Sequence, residues 1–183
     1  MPDREMHISV DIETSGPQYN WYSLLSIGAI RVGTKQQFYI ELQPDRDRVN
    51  PQSMRVNKLD FERLKREGIP PRDAMLKFRE WIEWLQDFKV YRPVFVSYGT
   101  FDWAWVNEYF LRYLGANPFG LNSLDIESYF AGVVGRERIT DSPIPRMFLR
   151  GLKHTHNALE DAKEQAEVFR RLQEHRRSLG SVL

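Results

Sequence analysis

Met6, Ile8, Val10 and Ile12 alternate with His7, Ser9, Asp11 and Glu13, the two-residue period of a strand with one apolar and one polar face. Asp11 and Glu13 therefore point the same way. After the turn-rich segment 14–23, Leu24–Val32 and Gln36–Leu42 read as two further strands joined by a hairpin at Gly33-Thr34-Lys35, so the first third predicts a three-stranded antiparallel meander. Pro44, Pro51 and several charges make 43–57 a loop, followed by a short helix near Lys58–Glu67 that Gly68 ends. From Pro71, a residue suited to the first helical position, Ala74, Phe78, Ile82 and Leu85 recur at helical spacing, with Trp81 and Phe88 widening the stripe. That helix is expected to cover one face of the sheet.

Val94, Phe95 and Val96, bounded by Pro93 and Gly99, have the continuous apolar character of a strand buried on both sides. A helix over Phe101–Leu114 follows and stops at Gly115, which puts Asp102 at a strand-to-helix junction. Sites in open α/β sheets gather at such carboxyl ends of strands. Leu121–Phe130 predicts another short strand and a helix, with Asp125 as its N-cap. Pro143, Pro145 and Gly151 break up 136–155, which reads as a lobe or long loop. The last helix, Ala158–Arg176, carries apolar Ala162, Ala166, Phe169 and Leu172 and an i,i+4 pair of Glu167 with Arg171. The pattern as a whole predicts one α/β domain over 1–183: a mixed central sheet of about five strands, the first three antiparallel, flanked by helices.

Composition narrows the setting. The 183 residues are 42% hydrophobic and 13% aromatic, enough for a real core. The lack of cysteine excludes a disulfide framework and any cysteine-based zinc site or nucleophile. No run approaches the roughly 18 apolar residues of a membrane span, and the start MPDREMH has no signal-like apolar stretch. A cytoplasmic protein with no membrane partner is the expectation. With 26 basic against 25 acidic side chains the net charge is +1, so any affinity for a polyanion must come from local distribution.

Asp11, Glu13, Asp102 and Asp161 with His156 form a set that can hold two hard divalent cations through oxygen and leave a base to take a proton from water. Residues i and i+2 of a strand share a face about 6.6 Å apart along its axis. Magnesium suits such a site, since it keeps several waters and needs only a few carboxylates and a substrate phosphate. Four acids in a small volume would raise one another's pKa without cations, so the cluster makes physical sense with metal bound. Metal-assisted phosphodiester hydrolysis is the chemistry it indicates.

In order and spacing, DIET at 11–14, IGAI at 27–30, FD at 101–102 and HNALEDA at 156–162 resemble the DEDDh (DnaQ-like) exonucleases of the ribonuclease H-like fold. The resemblance covers most of the chain. It implies Asp11, Glu13, Asp102 and Asp161 as ligands of two Mg²⁺ or Mn²⁺ ions and His156 as general base and substrate contact. Thr14 would present backbone groups to the terminal nucleotide. The substrate would be single-stranded RNA or DNA with a free 3′ end, the products nucleoside 5′-monophosphates, and a homodimer would match the short relatives by analogy. His156 stands five residues before Asp161, as in the histidine subclass; the tyrosine subclass has its base four before, where this chain has Asn157. The middle motif SYGTFD is similar to that of the short ERI-type and KapD-like members. Tyr98, Ser26 and Pro17 depart from the common asparagine, glutamate and leucine, so base stacking falls to Tyr19, Trp21 or Tyr22.

Taken singly, each residue has a plainer reading. Asp11 with Glu13 could be a solvated strand face, Asp102 a charge favoured by a helix dipole, and His156 a helix cap. Phe101 reads as packing. His154, and the basic run Arg136, Arg138, Arg146, Arg150 and Lys153, read equally as phosphate contacts or as ordinary surface. Two rival functions remain open: a nucleic-acid-binding module of the same fold with little activity, and an aspartate-nucleophile phosphatase, against which Glu13 and the terminal His-Asp pair argue.

Overall fold

The computed structural model describes residues 4–85, 91–136, 144 and 146–180. Phe88 of the expected helix stripe, and Arg138 with Pro143 and Pro145 of the 136–155 segment, lie outside the described residues, as does the Arg146 side chain.

Strands β1 (Arg4–Thr14), β2 (Leu24–Arg31) and β3 (Gln37–Glu41) form the expected meander, β1 pairing antiparallel with β2 and β2 with β3. The region expected as loop 43–57 instead contains helix α1 (Pro51–Asn57). Asn50 caps it, its side chain accepting from the amides of Gln52 and Ser53 at 2.9 and 3.1 Å, and Pro51 takes the first position. Seven residues with two apolar side chains give no readable period, so the helix depends on its cap and its neighbours. Helix α2 (Phe61–Glu67) starts at Asp60 and ends at Gly68, whose amide donates to Leu64 at 2.9 Å. Helix α3 (Pro71–Leu85) follows.

Strand β4 (Tyr91–Ser97) runs parallel to β1, helix α4 (Phe101–Leu114) leaves its carboxyl end, and β5 (Ser123–Asp125) pairs parallel with β4. The sheet order is β3-β2-β1-β4-β5. Helices α5 (Ile126–Val133), α6 (Arg146–Leu149) and α7 (Ala158–Ser178) complete the described elements. Among the described residues no helix is long and apolar enough to cross a membrane.

The two faces of β1 meet different helices. Met6, Ile8, Val10 and Ile12 pack with Phe78 and Ile82 of α3 and Trp105, Tyr109 and Phe110 of α4. The polar row faces α7: the His7 ring lies 5.1 Å from that of Phe169, and Gln165 reaches Asp11. That face is buried rather than solvated, with Ser9 at 0% and Asp11 at 8% exposure. α7 can approach because Ala158, Ala162 and Ala166 line it and because Gly28, the register partner of Asp11, has no side chain. A Cβ on Gly28 would stand 2.2 Å from the backbone of Ala158 and Leu159.

Candidate active site

Asp11 and Glu13 leave the α7 face of β1, and Asp161 comes to them from the first turn of α7. One carboxylate oxygen from each of the three lies within 4.8 Å of the others. Asp102, in the first turn of α4, is buried beside them at 7% exposure, and its charge bears on both Asp11 and Glu13. Four acids expected from positions far apart in the chain therefore meet.

Their protonation records the crowding. Burial, then the charges of Asp102, Glu13 and Asp161, hold the Asp11 carboxyl well above the usual carboxylate range, against a 2.6 Å hydrogen bond donated by Gln165 Nε2. Burial first, then Asp161 and Asp102, pushes Glu13 up to about 8. Burial raises Asp102 to about 7, partly offset by backbone hydrogen bonds from Asp102 itself and Ile12. Without a counter-charge the cluster keeps protons at neutral pH. An all-oxygen donor set this close fits hard divalent cations.

Asp161 is also tied to the segment before α7. Its Oδ1 accepts from the Thr155 amide at 2.6 Å and the Thr155 hydroxyl at 2.9 Å, and its Oδ2 accepts from the His156 amide at 2.7 Å. His156 adopts a left-handed backbone, φ 58°, uncommon for a residue with a Cβ. Those hydrogen bonds hold it there, and Asn157 then caps α7 through the Glu160 amide. The imidazole thus stands exposed outside the helix, with a ring nitrogen within 4.8 Å of an Asp161 oxygen.

Beside Glu13 and Thr14 lies an open cavity of about 350 Å³. Pro17, Val56 and Phe101 give it apolar walls, and Asn50, Gln52 and Ser53 of the α1 start give polar edges. Asn57, buried, donates from Nδ2 to the Thr14 carbonyl at 3.0 Å and fixes α1 to the end of β1. The Thr14 hydroxyl is engaged with the Gly16 carbonyl at 2.8 Å.

The expected stacking residues are placed differently from the sequence reading. Tyr22 is buried against Gly16, and Tyr19 packs edge-on to Trp105. Trp21 is exposed, but under the Arg48 guanidinium and not in the cavity lining. Phe101, read as packing, is 46% exposed and lines the cavity. It precedes the buried stripe of α4 that Trp105 and Tyr109 begin. The α1 residues were missed altogether, although Asn50-Pro51 is a readable helix start. Asp125 is the expected N-cap of α5, and its Oδ1 also accepts from the Gly99 amide at 2.8 Å, which anchors the turn leading to Asp102. His154 faces Glu164 and Asp161. Of the basic run, Arg136 lies over the Phe130 ring, and Arg150 and Lys153 are exposed.

Solved nuclease structures share this architecture. The nuclease domain of 3′hExo, a DEDDh family member bound to rAMP, superposes with a TM-score of 0.71 at 12% identity, covering 94% of each chain. Cell-death related nuclease 4 gives 0.73 at 12% identity, over 93% of this chain and 64% of that one. Escherichia coli exonuclease I in complex with a dT13 oligonucleotide gives 0.70 at 14% identity over 96% of this chain, which spans only 42% of that longer protein. The chain belongs to the Rv2179c-like 3′-5′ exoribonuclease domain family, whose model matches residues 6–173. It is also 42% identical over 174 residues to the 3′-5′ DNA exonuclease Cap18 of Escherichia coli, covering 92% of this chain and 91% of that one.

Proposed function

We propose that the chain, acting as a single domain over 1–183, removes nucleotides stepwise from the 3′ end of single-stranded RNA or DNA as 5′-monophosphates. Asp11, Glu13, Asp102 and Asp161 would hold two Mg²⁺ or Mn²⁺ ions, and His156 would be the general base. The observation that carries this reading is the convergence of Asp11, Glu13 and Asp161 within 4.8 Å beside buried Asp102. Cations bound there supply positive charge against the negative charge that develops on the attacking and leaving oxygens. His156 takes a proton from the attacking water; the new bond forms to phosphorus, and the bond to the neighbouring nucleotide's 3′ oxygen breaks.

The cavity supports an end-on substrate. Phe101, Pro17 and Val56 offer apolar surface to a terminal base, and Asn50, Gln52 and Ser53 offer hydrogen bonds to sugar and base edges. Exonuclease I in complex with a dT13 oligonucleotide and the 3′hExo domain bound to rAMP share this fold, and their ligands are of the class proposed here. The family name specifies RNA and the Escherichia coli relative's name DNA; discrimination would turn on contact to the 2′-hydroxyl.

A time course on matched end-labelled RNA and DNA oligonucleotides with Mg²⁺ tests the reading. A ladder shortening from the 3′ end, absent with EDTA, is expected; degradation from the 5′ end or insensitivity to EDTA would overturn it. In the same assay His156→Ala should slow turnover about 10²–10⁴-fold, while calorimetry with Mn²⁺ on the free protein stays near wild type.

The raised carboxyls give a pH signature. Glu13 and Asp102 hold protons in the folded chain up to about 8 and about 7, whereas unfolded carboxyls release theirs near pH 4. The folded state therefore binds more protons between those limits. The metal-free protein is favoured below the unfolded pKa and loses stability as pH rises through 7 to 8. Saturating Mn²⁺ should raise Tm by roughly 5–10 °C at pH 8 and hardly at all at pH 5, as scanning calorimetry would record. An equal increment at both pH values would contradict metal binding at these acids.

A further inference from the structure

His154 takes no part in the reaction proposed above, yet its position is defined. Its ring stands edge-on to that of His156, centroids 4.6 Å apart and planes at 83°. Its Nδ1 lies 3.2 Å from Glu164 Oε2 and 3.4 Å from Asp161 Oδ2. The Glu164 side chain is only 11% exposed, so this is no loose surface pair. Ring nitrogens of both histidines and one Asp161 oxygen lie within 4.8 Å of one another.

Two imidazoles and one carboxylate differ in kind from the all-oxygen cluster next door. Magnesium prefers oxygen, whereas Zn²⁺ favours imidazole and takes three protein ligands with a fourth place for solvent. Ligand atoms about 2.1 Å from a tetrahedral ion stand about 3.4 Å apart. The donors lie within 4.8 Å of one another, two of them on exposed rings. A metal-binding histidine usually donates its other ring N–H to a carboxylate, which orients the ring. Nδ1 of His154, which lies near Glu164 Oε2 and Asp161 Oδ2 alike, meets that condition when the ring turns its Nε2 toward the ion.

We infer that His154, His156 and Asp161 form a binding site for Zn²⁺ or a cation of similar softness, and that filling it arrests the nuclease. A cation there occupies the lone pair His156 needs to accept a proton and draws on Asp161, a residue that the neighbouring cluster shares. The arrest rests on the function proposed above; the binding does not.

Cobalt reports the site directly, because four-coordinate Co²⁺ absorbs strongly in the visible and six-coordinate Co²⁺ weakly. Metal-free wild type titrated with Co²⁺ should develop the strong bands, and Zn²⁺ should displace them. His154→Ala should lose the bands and bind Zn²⁺ at least about tenfold more weakly, and Glu164→Gln should weaken Zn²⁺ by about 10–100-fold with the bands retained. With Mg²⁺ fixed at millimolar level, micromolar Zn²⁺ should inhibit wild type, while His154→Ala keeps the basal rate and needs at least tenfold more Zn²⁺. Equal zinc sensitivity of the two proteins, or a cobalt spectrum unchanged by His154→Ala, overturns the inference. His154-dependent cobalt bands in a wild-type protein that hydrolyses nothing with Mg²⁺ would support the site and remove only the proposed reaction.

Discussion

Asp161→Asn is expected to lower nucleotide release by about 10³-fold or more and to do so for two reasons at once. It removes a charge from the cluster. It also turns one oxygen that faces backbone amides into a donor. Both oxygens of Asp161 accept such hydrogen bonds, Oδ1 from Thr155 and Oδ2 from His156, so an amide NH₂ meets an N–H whichever way it is turned. The left-handed turn at His156 loses its fastening, and the imidazole moves with it. The loss of these bonds should cost about 1–3 kcal/mol, with the circular dichroism spectrum still native. Asp11→Asn makes the contrast. It should abolish hydrolysis equally, but the metal-free protein should be no less stable at pH 8, because a buried acid crowded by three others is replaced by a neutral group. Release from a 3′-labelled oligonucleotide and melting in EDTA read both effects. Turnover like wild type in either variant refutes the assignment of these acids.

Gly28→Ala should be nearly as damaging, although Gly28 carries no chemistry. The added methyl would sit 2.2 Å from backbone atoms of Ala158 and Leu159, and backbone cannot turn aside as a long side chain can. The first turn of α7 must lift from β2, and Asp161 lifts with it, away from Asp11 on the paired strand. Overpacking of this sort costs about 1–3 kcal/mol, a fall in Tm of roughly 2–12 °C, and a displacement near 1 Å at a reacting site costs about 10²-fold in rate. Gly132→Ala, whose methyl would meet nothing within 4 Å, serves as control. An unchanged melting point with full activity in Gly28→Ala would mean that α7 seats elsewhere.

The acids were legible because their message is local: an i,i+2 pair on an alternating strand, an acid at a strand-to-helix junction, a histidine and an acid bracketing a helix start. The sheet was legible for the same reason, since alternation from Met6 to Glu13 and the hairpin at Gly33 are short-range signals. What the sequence hid is long-range. The polar row of β1 looked solvated as readily as buried, and only the small residues of α7 against Gly28 decide that it is covered. Asn57 reaches Thr14 across 43 residues. Helix α1 lacks a period, and its end, a left-handed Lys58, carries no glycine to announce it. Phe101 misled because an apolar residue at a helix start is usually core; here it precedes the buried stripe and looks into the cavity.

Asp125 joins the margin of the sheet to its centre. It closes a three-residue outer strand, and through Gly99 it steadies the turn that delivers Asp102. Short outer strands are the parts of a sheet that open most easily. Transient fraying there would loosen the turn that carries Asp102 and so disturb the acid cluster from a distance, with nothing altered among the other acids.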